Sequence, residues 1–263
     1  MGSGSEAAVW AGLFGLCVGS FANVFLARYP QGRSLWWPSS SCPRCGHSIR
    51  WWHNVPVLGW LWLRGRCHDC RQPIAAEYPL VEAAFGLLAW IWVARFGASA
   101  FSLYLGLFVL GLLLVAMVDW QTMHIYDVQT IPLGAGGLAG SLLFPLTYNG
   151  QRWHSVAAML AMAATMAVLA WLGRLYAKRD ALGGGDVKLM IAAAGFLGWP
   201  LAWSTLLLGV LLGLPIMMLY QRLKGLGWRD PAPFGPALAL ACGIAAWDLA
   251  GGGLWFRTLD PFF

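Results

Sequence analysis

FGASAFSLYLGLFVLGLLLVAMV, residues 96–118, runs for 23 positions without an Asp, Glu, Lys or Arg and stops at Asp119. At about 1.5 Å per residue it makes a helix about 35 Å long, enough to cross the roughly 30 Å hydrocarbon core of a bilayer. Further charge-free runs cover Ala7–Ala27, Val128–Gln151, Trp153–Gly173, Leu189–Gln221 and Pro231–Trp247. Of the 263 residues 59% are hydrophobic and 11% charged, whereas a soluble domain carries about 25% charged residues. The pattern predicts an all-α polytopic membrane protein; a β-barrel would show short alternating strands instead. Ala7–Ala27 is preceded by Glu6 and not by a basic stretch, and Arg28 follows it, so it reads as a retained first span.

Basic residues mark the cytoplasmic side of a membrane protein. They cluster in three stretches: Arg28, Arg33, Arg44, Arg50, Arg64, Arg66 and Arg71; then Arg174, Lys178, Arg179 and Lys188; then Arg222, Lys224 and Arg229. Arg95, Arg152 and Arg257 fall in the intervening turns. Leu189–Gln221, at 33 residues, is too long for one span and short for two, and Gly198-Trp199-Pro200 in its middle reads as a turn. Splitting it there keeps the third cluster in the cytoplasm. The expectation is eight spans, near 8–27, 80–95, 100–119, 128–147, 154–173, 187–198, 201–220 and 234–250, with both termini outside. The net charge of +6 then records orientation, and its spread over short loops argues against a nucleic-acid partner.

Within this topology two acids fall in the same leaflet. Asp119 ends the third span, and Asp186 opens the sixth in Gly183-Gly184-Gly185-Asp186-Val187-Lys188. A lone acid at a helix end more often caps the helix or meets interfacial water, and Asp127 has that reading; Glu82 reads equally as a first-turn acid favoured by the helix dipole or as a functional group. A pair differs, because two neighbouring carboxylates cannot both ionise: the charged one can deprotonate water while the neutral one polarises a carbonyl. The glycines permit close approach of a substrate strand. The pair therefore points to an intramembrane aspartic protease. A proton-coupled transporter is the competing class, but the acids lie near one face and no internal repeat is present.

The first cytoplasmic loop carries Cys42-Pro43-Arg44-Cys45 and Cys67-His68-Asp69-Cys70, two C-x2-C pairs with 21 residues between them. Four thiolates at this spacing suit a closed tetrahedral Zn²⁺ site of architectural role. A reducing compartment disfavours disulfides as the alternative. His47, His53 and His68 read as ordinary loop histidines, although His68 stands inside a C-x2-C. Cys17 and Cys242 lie in spans and read as buried apolar residues. Trp36, Trp37, Trp51, Trp52, Trp60 and Trp62 with the arginines fit an interfacial surface beside the lipid bilayer.

Several stretches together resemble the type IV prepilin peptidases: Gly19-Ser20-Phe21 and Asn23-Val24, the CPRCGHSIRWWHNVPVLGWLWLRGRCHDC loop, Tyr78-Pro79-Leu80-Val81-Glu82, Val118-Asp119 with Asp127 beyond it, and Leu182–Lys188 followed by Gly195–Trp199. The resemblance implies that Asp119 and Asp186 are the catalytic pair of a GxGD-type aspartyl protease. It implies a bacterial inner-membrane enzyme that cleaves prepilins and pseudopilins after a glycine, on the cytoplasmic side. It also implies N-methylation of the new terminus from S-adenosylmethionine, and zinc ligation by Cys42, Cys45, Cys67 and Cys70. The corresponding division is a first span at 1–27, a methyltransferase-associated four-cysteine loop at 28–79 and a seven-span peptidase domain at 80–263. Tyr126 stands where many relatives have proline, Glu77 where arginine is common and Ala22 where leucine is common. No glycine-rich nucleotide fingerprint follows a strand pattern, so the methyl-donor residues stay unassigned.

Overall fold

The structure, a computed structural model, describes residues 3–144, 153–177, 182–228 and 230–252. The end of the expected span 128–147 and the loop residues Arg152, Lys178, Arg179, Arg229 and Arg257 lie outside the described residues. Nine α-helices occur among the described residues, with two isolated β-bridges and no strand. They are α1 (Ser3–Arg28), α2 (Leu58–Trp62), α3 (Glu77–Phe96), α4 (Ala100–Thr122), α5 (Asp127–Leu143), α6 (His154–Ala177), α7 (Gly184–Leu197), α8 (Trp199–Lys224) and α9 (Gly235–Ala250).

Every expected span falls on a helix, but among the described residues only α1, α3, α4, α6 and α8 are long and apolar enough to cross a bilayer. At 14 residues, α7 extends about 21 Å, less than the roughly 30 Å hydrocarbon core. The break in Leu189–Gln221 does fall at Gly198, whose φ of 78° and ψ of 168° end α7, and Pro200 sits in the first turn of α8. A side chain would resist that positive φ, and a Cβ there would meet His154 Nε2 at 2.6 Å.

The chain divides into two compact units, Met1–Ser102 and Leu103–Phe263. In the first, α1 packs along α3. Gly12, Gly15 and Gly19 recur at helical spacing, and small residues let membrane helices approach backbone to backbone. A Cβ on Gly15 would lie 2.5 Å from the Phe85 carbonyl oxygen, and one on Gly19 would lie 2.7 Å from Glu82 Cα. Backbone atoms cannot swing aside, so Gly15→Val is expected to destabilise this pair by about 3 kcal/mol, the upper end for overpacking. An unchanged melting midpoint in detergent would contradict the packing.

The same helix pair anchors the loop between them. Asn23 donates from Nδ2 to the Tyr78 carbonyl at 3.0 Å. Val57 has φ 59° and ψ −50°, and Leu58 N–H closes back on the Pro56 carbonyl at 2.6 Å. This is a γ-turn of the strained hand, and its centre is a β-branched residue. Glu82 Oε2 accepts the Val57 N–H at 2.7 Å. Glu82 is thus more than a helix-dipole acid: it clasps the strained turn of the loop to the first turns of α3.

In the second unit α7 is the central helix. Leu189, Met190, Ala192, Ala193, Ala194, Gly195, Phe196 and Leu197 are all buried, and α5, α6, α8 and α9 surround it. A helix apolar on every side belongs inside, so protein contacts, not bilayer thickness, set its length. Gly137 of α5 packs on Gly195, with the Cβ position 3.0 Å from Gly195 Cα. Ser155 of α6 donates to the Gly195 carbonyl at 2.8 Å. Phe108 stacks on Phe196 with centroids 4.1 Å apart. Outside this core the helices expose large apolar side chains, among them Leu160, Val168, Trp171, Leu207, Val210 and Leu211. Such an apolar exterior suits hydrocarbon as solvent.

Candidate active site and metal cluster

Each C-x2-C pair forms the same tight knuckle. In the first, Cys42 N–H reaches the His47 carbonyl at 2.9 Å and Gly46 N–H the Cys42 carbonyl at 2.9 Å. In the second, Cys67 N–H reaches Gln72 at 2.8 Å and Arg71 N–H reaches Cys67 at 3.1 Å. The residue after each pair is left-handed, Gly46 at φ 72° and Arg71 at φ 58°. The two knuckles bring Cys42, Cys45, Cys67 and Cys70 together with all four sulfurs within 4.8 Å of one another; Cys42 and Cys70 lie 3.9 Å apart. A Zn–S bond of about 2.3 Å requires tetrahedral edges of about 3.8 Å, so the donor set fits a divalent metal. All six cysteines are free thiols.

N–H groups of Cys45 and Arg44 pull the Cys42 thiol down to about 7. For Cys45, the His47 N–H acts downward, but burial and the neighbouring sulfurs outweigh it and raise the thiol to about 11. Metal binding needs thiolates and so displaces thiol protons, which the lowered Cys42 gives up more readily of the two. His68 is not among the grouped donors: its Nδ1 lies 3.3 Å from Asp69, and its ring stacks on His53 at 5.0 Å. That hydrogen bond holds Asp69 below the usual carboxylate range.

The acids lie in the second unit. Asp119, in the last turn of α4, is only 4% exposed. Its Oδ2 accepts the N–H of Gly235 at 2.8 Å, the first residue of α9, where the helix dipole favours negative charge. Asp186 sits in the first turn of α7. The three glycines before it play different parts. A Cβ on Gly183 would lie 2.7 Å from Asp186 Oδ2, one on Gly185 would lie 2.7 Å from Ile125 Cβ, and one on Gly184 would meet nothing within 4 Å. Gly183 leaves room for the carboxylate, and Gly185 seats α7 on the α4–α5 turn.

Ile125 joins the two acids. It packs on Gly185, beside Asp186, and its Cδ1 lies 3.0 Å from the Cβ position of Gly235, which holds Asp119. Asp127 stands apart from this pair: it is exposed at the start of α5 and forms an ion pair with Lys188 of α7. With side chains 59% and 53% exposed, that pair contributes at most about 1 kcal/mol.

The sequence reading passed over Gly235 and Ile125. Phe234-Gly235-Pro236 does carry a helix-start signal, proline in the first turn, but nothing in it tells which group the new N-terminus faces. Gly235→Ala is expected to push the Asp119 carboxylate away, since a Cβ there lies 2.6 Å from Oδ2. A displacement of several tenths of an ångström at a reacting group predicts a roughly 10-fold or greater loss of kcat with little change in melting midpoint. Wild-type kcat in this variant would show that the Gly235 contact is dispensable.

The fold and site define a class: a helical membrane protein with Asp119 and Asp186 at helix ends in one unit and a four-cysteine cluster in the other. Residues 13–96 match the bacterial peptidase A24 N-terminal domain, and residues 106–218 match the type IV leader peptidase family. Relatives described as "Prepilin leader peptidase/N-methyltransferase" include those of Dickeya chrysanthemi, 34% identical over 87% of this chain and 88% of the relative, and of Myxococcus xanthus, 35% identical over 96% and 76%. The relative from Pseudomonas aeruginosa is 32% identical over 89% and 87%. No solved structure matches the chain. The chain belongs to the type IV leader peptidase family.

Proposed function

We propose that this chain is a bifunctional membrane enzyme that removes the leader of type IV prepilins and methylates the new N-terminus. What supports the peptidase half is Ile125, which packs on Gly185, beside Asp186, and on Gly235, whose N–H Asp119 accepts. The ionised member takes a proton from water, whose oxygen adds to the scissile carbonyl. The neutral member donates a hydrogen bond to that carbonyl oxygen. Collapse of the tetrahedral intermediate breaks the C–N bond, and the departing amine takes up a proton from the pair.

An eight-span topology, with the α7 start and the α4 end in the cytoplasmic leaflet, would match a substrate whose basic leader stays in the cytoplasm. Its scissile bond, after a glycine, then lies at the depth of the acids. The enzyme accordingly works in the bacterial inner membrane, in pilus assembly or type II secretion. Cys42, Cys45, Cys67 and Cys70 would hold zinc as a closed four-thiolate site, which leaves no position for substrate and supports a structural role. S-adenosylmethionine supplies an electrophilic methyl group when bound. Among the described residues no strand exists to build a strand–glycine turn–helix nucleotide site, so no residue is assigned to hold it.

The test is direct. Purified chain in detergent, mixed with a prepilin, should release the leader. With S-adenosylmethionine added, the mature product should gain the mass of one methyl group. An uncut prepilin would remove the peptidase reading, and an unmethylated product the transferase reading.

A further inference from the structure

Gln129 is a buried anomaly one turn beyond Ile125. It lies in the first turn of α5 and is 6% exposed. Its Oε1 accepts the Tyr126 N–H at 3.3 Å, which fixes the amide and turns Nε2 the other way. Nε2 is fully buried and has no hydrogen-bond partner, the only such side-chain atom among the described residues. An unmatched buried donor costs about 1–3 kcal/mol, and native proteins retain few of them.

Its place gives the cost a purpose. Leu133 packs on Gly111 of α4, and Tyr104 donates to the Gly136 carbonyl, so α4 and α5 run antiparallel in this register. One turn before Leu133 on the same face, Gln129 comes level with Val115, one turn from Asp119, and Tyr126, which it caps, follows Ile125. A peptide helix must unwind before one of its bonds can be cut, and unwinding inside a membrane strands backbone carbonyls without donors. The free donor and the stranded acceptor are complementary.

We propose that Gln129 Nε2 donates a hydrogen bond to a backbone carbonyl of the unwound prepilin segment, holding it beside Asp119 and Asp186. The contact reads the backbone and not a side chain, so it serves any substrate of this class. The inference rests on the peptidase reading above.

Steady-state cleavage of one prepilin by wild type, Gln129→Met and Gln129→Glu tests it, with melting midpoints alongside. Gln129→Met loses the donor and is expected to lower kcat/KM roughly 10-fold, mainly through KM, with the midpoint held. Gln129→Glu keeps the acceptor for Tyr126 N–H and regains a donor only when protonated. Its activity relative to wild type should therefore rise as pH falls, with Asp119, Asp186, Asp127, His124 and Lys188 present in both proteins. Wild-type kcat/KM in Gln129→Met, or a Gln129→Glu ratio flat with pH, overturns the proposal and leaves the peptidase reading standing. Failure of the wild-type chain to cut overturns the reading beneath it.

Discussion

Asp119→Asn and Asp186→Asn should each stop leader removal, with a loss on the order of ten-thousand-fold or more, as when one member of a catalytic unit is removed. Asparagine keeps the size and one carbonyl oxygen of aspartate, so in Asp119→Asn the amide oxygen can still accept the Gly235 N–H and the α4–α9 contact should survive. It cannot ionise, which leaves water without a base or the carbonyl without its acid partner. Groups acting as a unit are not additive, so the double variant should be no worse than either single one. Asp127→Asn is the contrasting case: its exposed pair with Lys188 predicts a loss below about 1 kcal/mol of stability and retained cleavage. Near-normal processing by either single dyad variant, measured on a prepilin by gel shift or mass, would end the assignment.

Removal of the metal is the second large effect. The segment between α1 and α3 holds short helical turns and two isolated bridges but few buried side chains. Four-thiolate binding contributes on the order of 10 kcal/mol to folding such a segment. Chelation, or Cys67→Ser at the most buried ligand, is expected to open the loop to trypsin at Arg44, Arg50, Arg64 and Arg66. Methyl transfer should fall with it. Leader removal should largely persist, because Asp119 and Asp186 belong to the other unit. Metal analysis should count one zinc per chain. A loop that stays protease-resistant after complete metal loss would contradict a metal-built fold.

The sequence was most legible where one physical cost dominates. A charge in hydrocarbon is expensive, so the charge-free runs mark the helices, and each expected span falls on one. Thiolates at fixed spacing have few uses, so the cysteine knuckles were readable too. Span length was less legible. The run Leu189–Gln221 breaks at Gly198 as expected, but nothing local says that α7 is enclosed by four other helices and can be short. Asp127 shows the same limit. Its exposure fitted a water-facing group, while its partner Lys188 lies 61 positions away.

By itself, the sequence determined a helical membrane protein, two acids at helix ends and a four-cysteine loop with metal-ligand spacing, because hydropathy, charge and ligand spacing are local properties. Only the tertiary structure decided that Ile125 sits between Gly185 and Gly235, that Gly235 holds Asp119 across 116 positions, and that Gln129 keeps an unmatched buried donor. Those facts depend on which helix faces touch. In an interior apolar on every side, close glycine contacts set the pairing, and hydropathy carries no record of it.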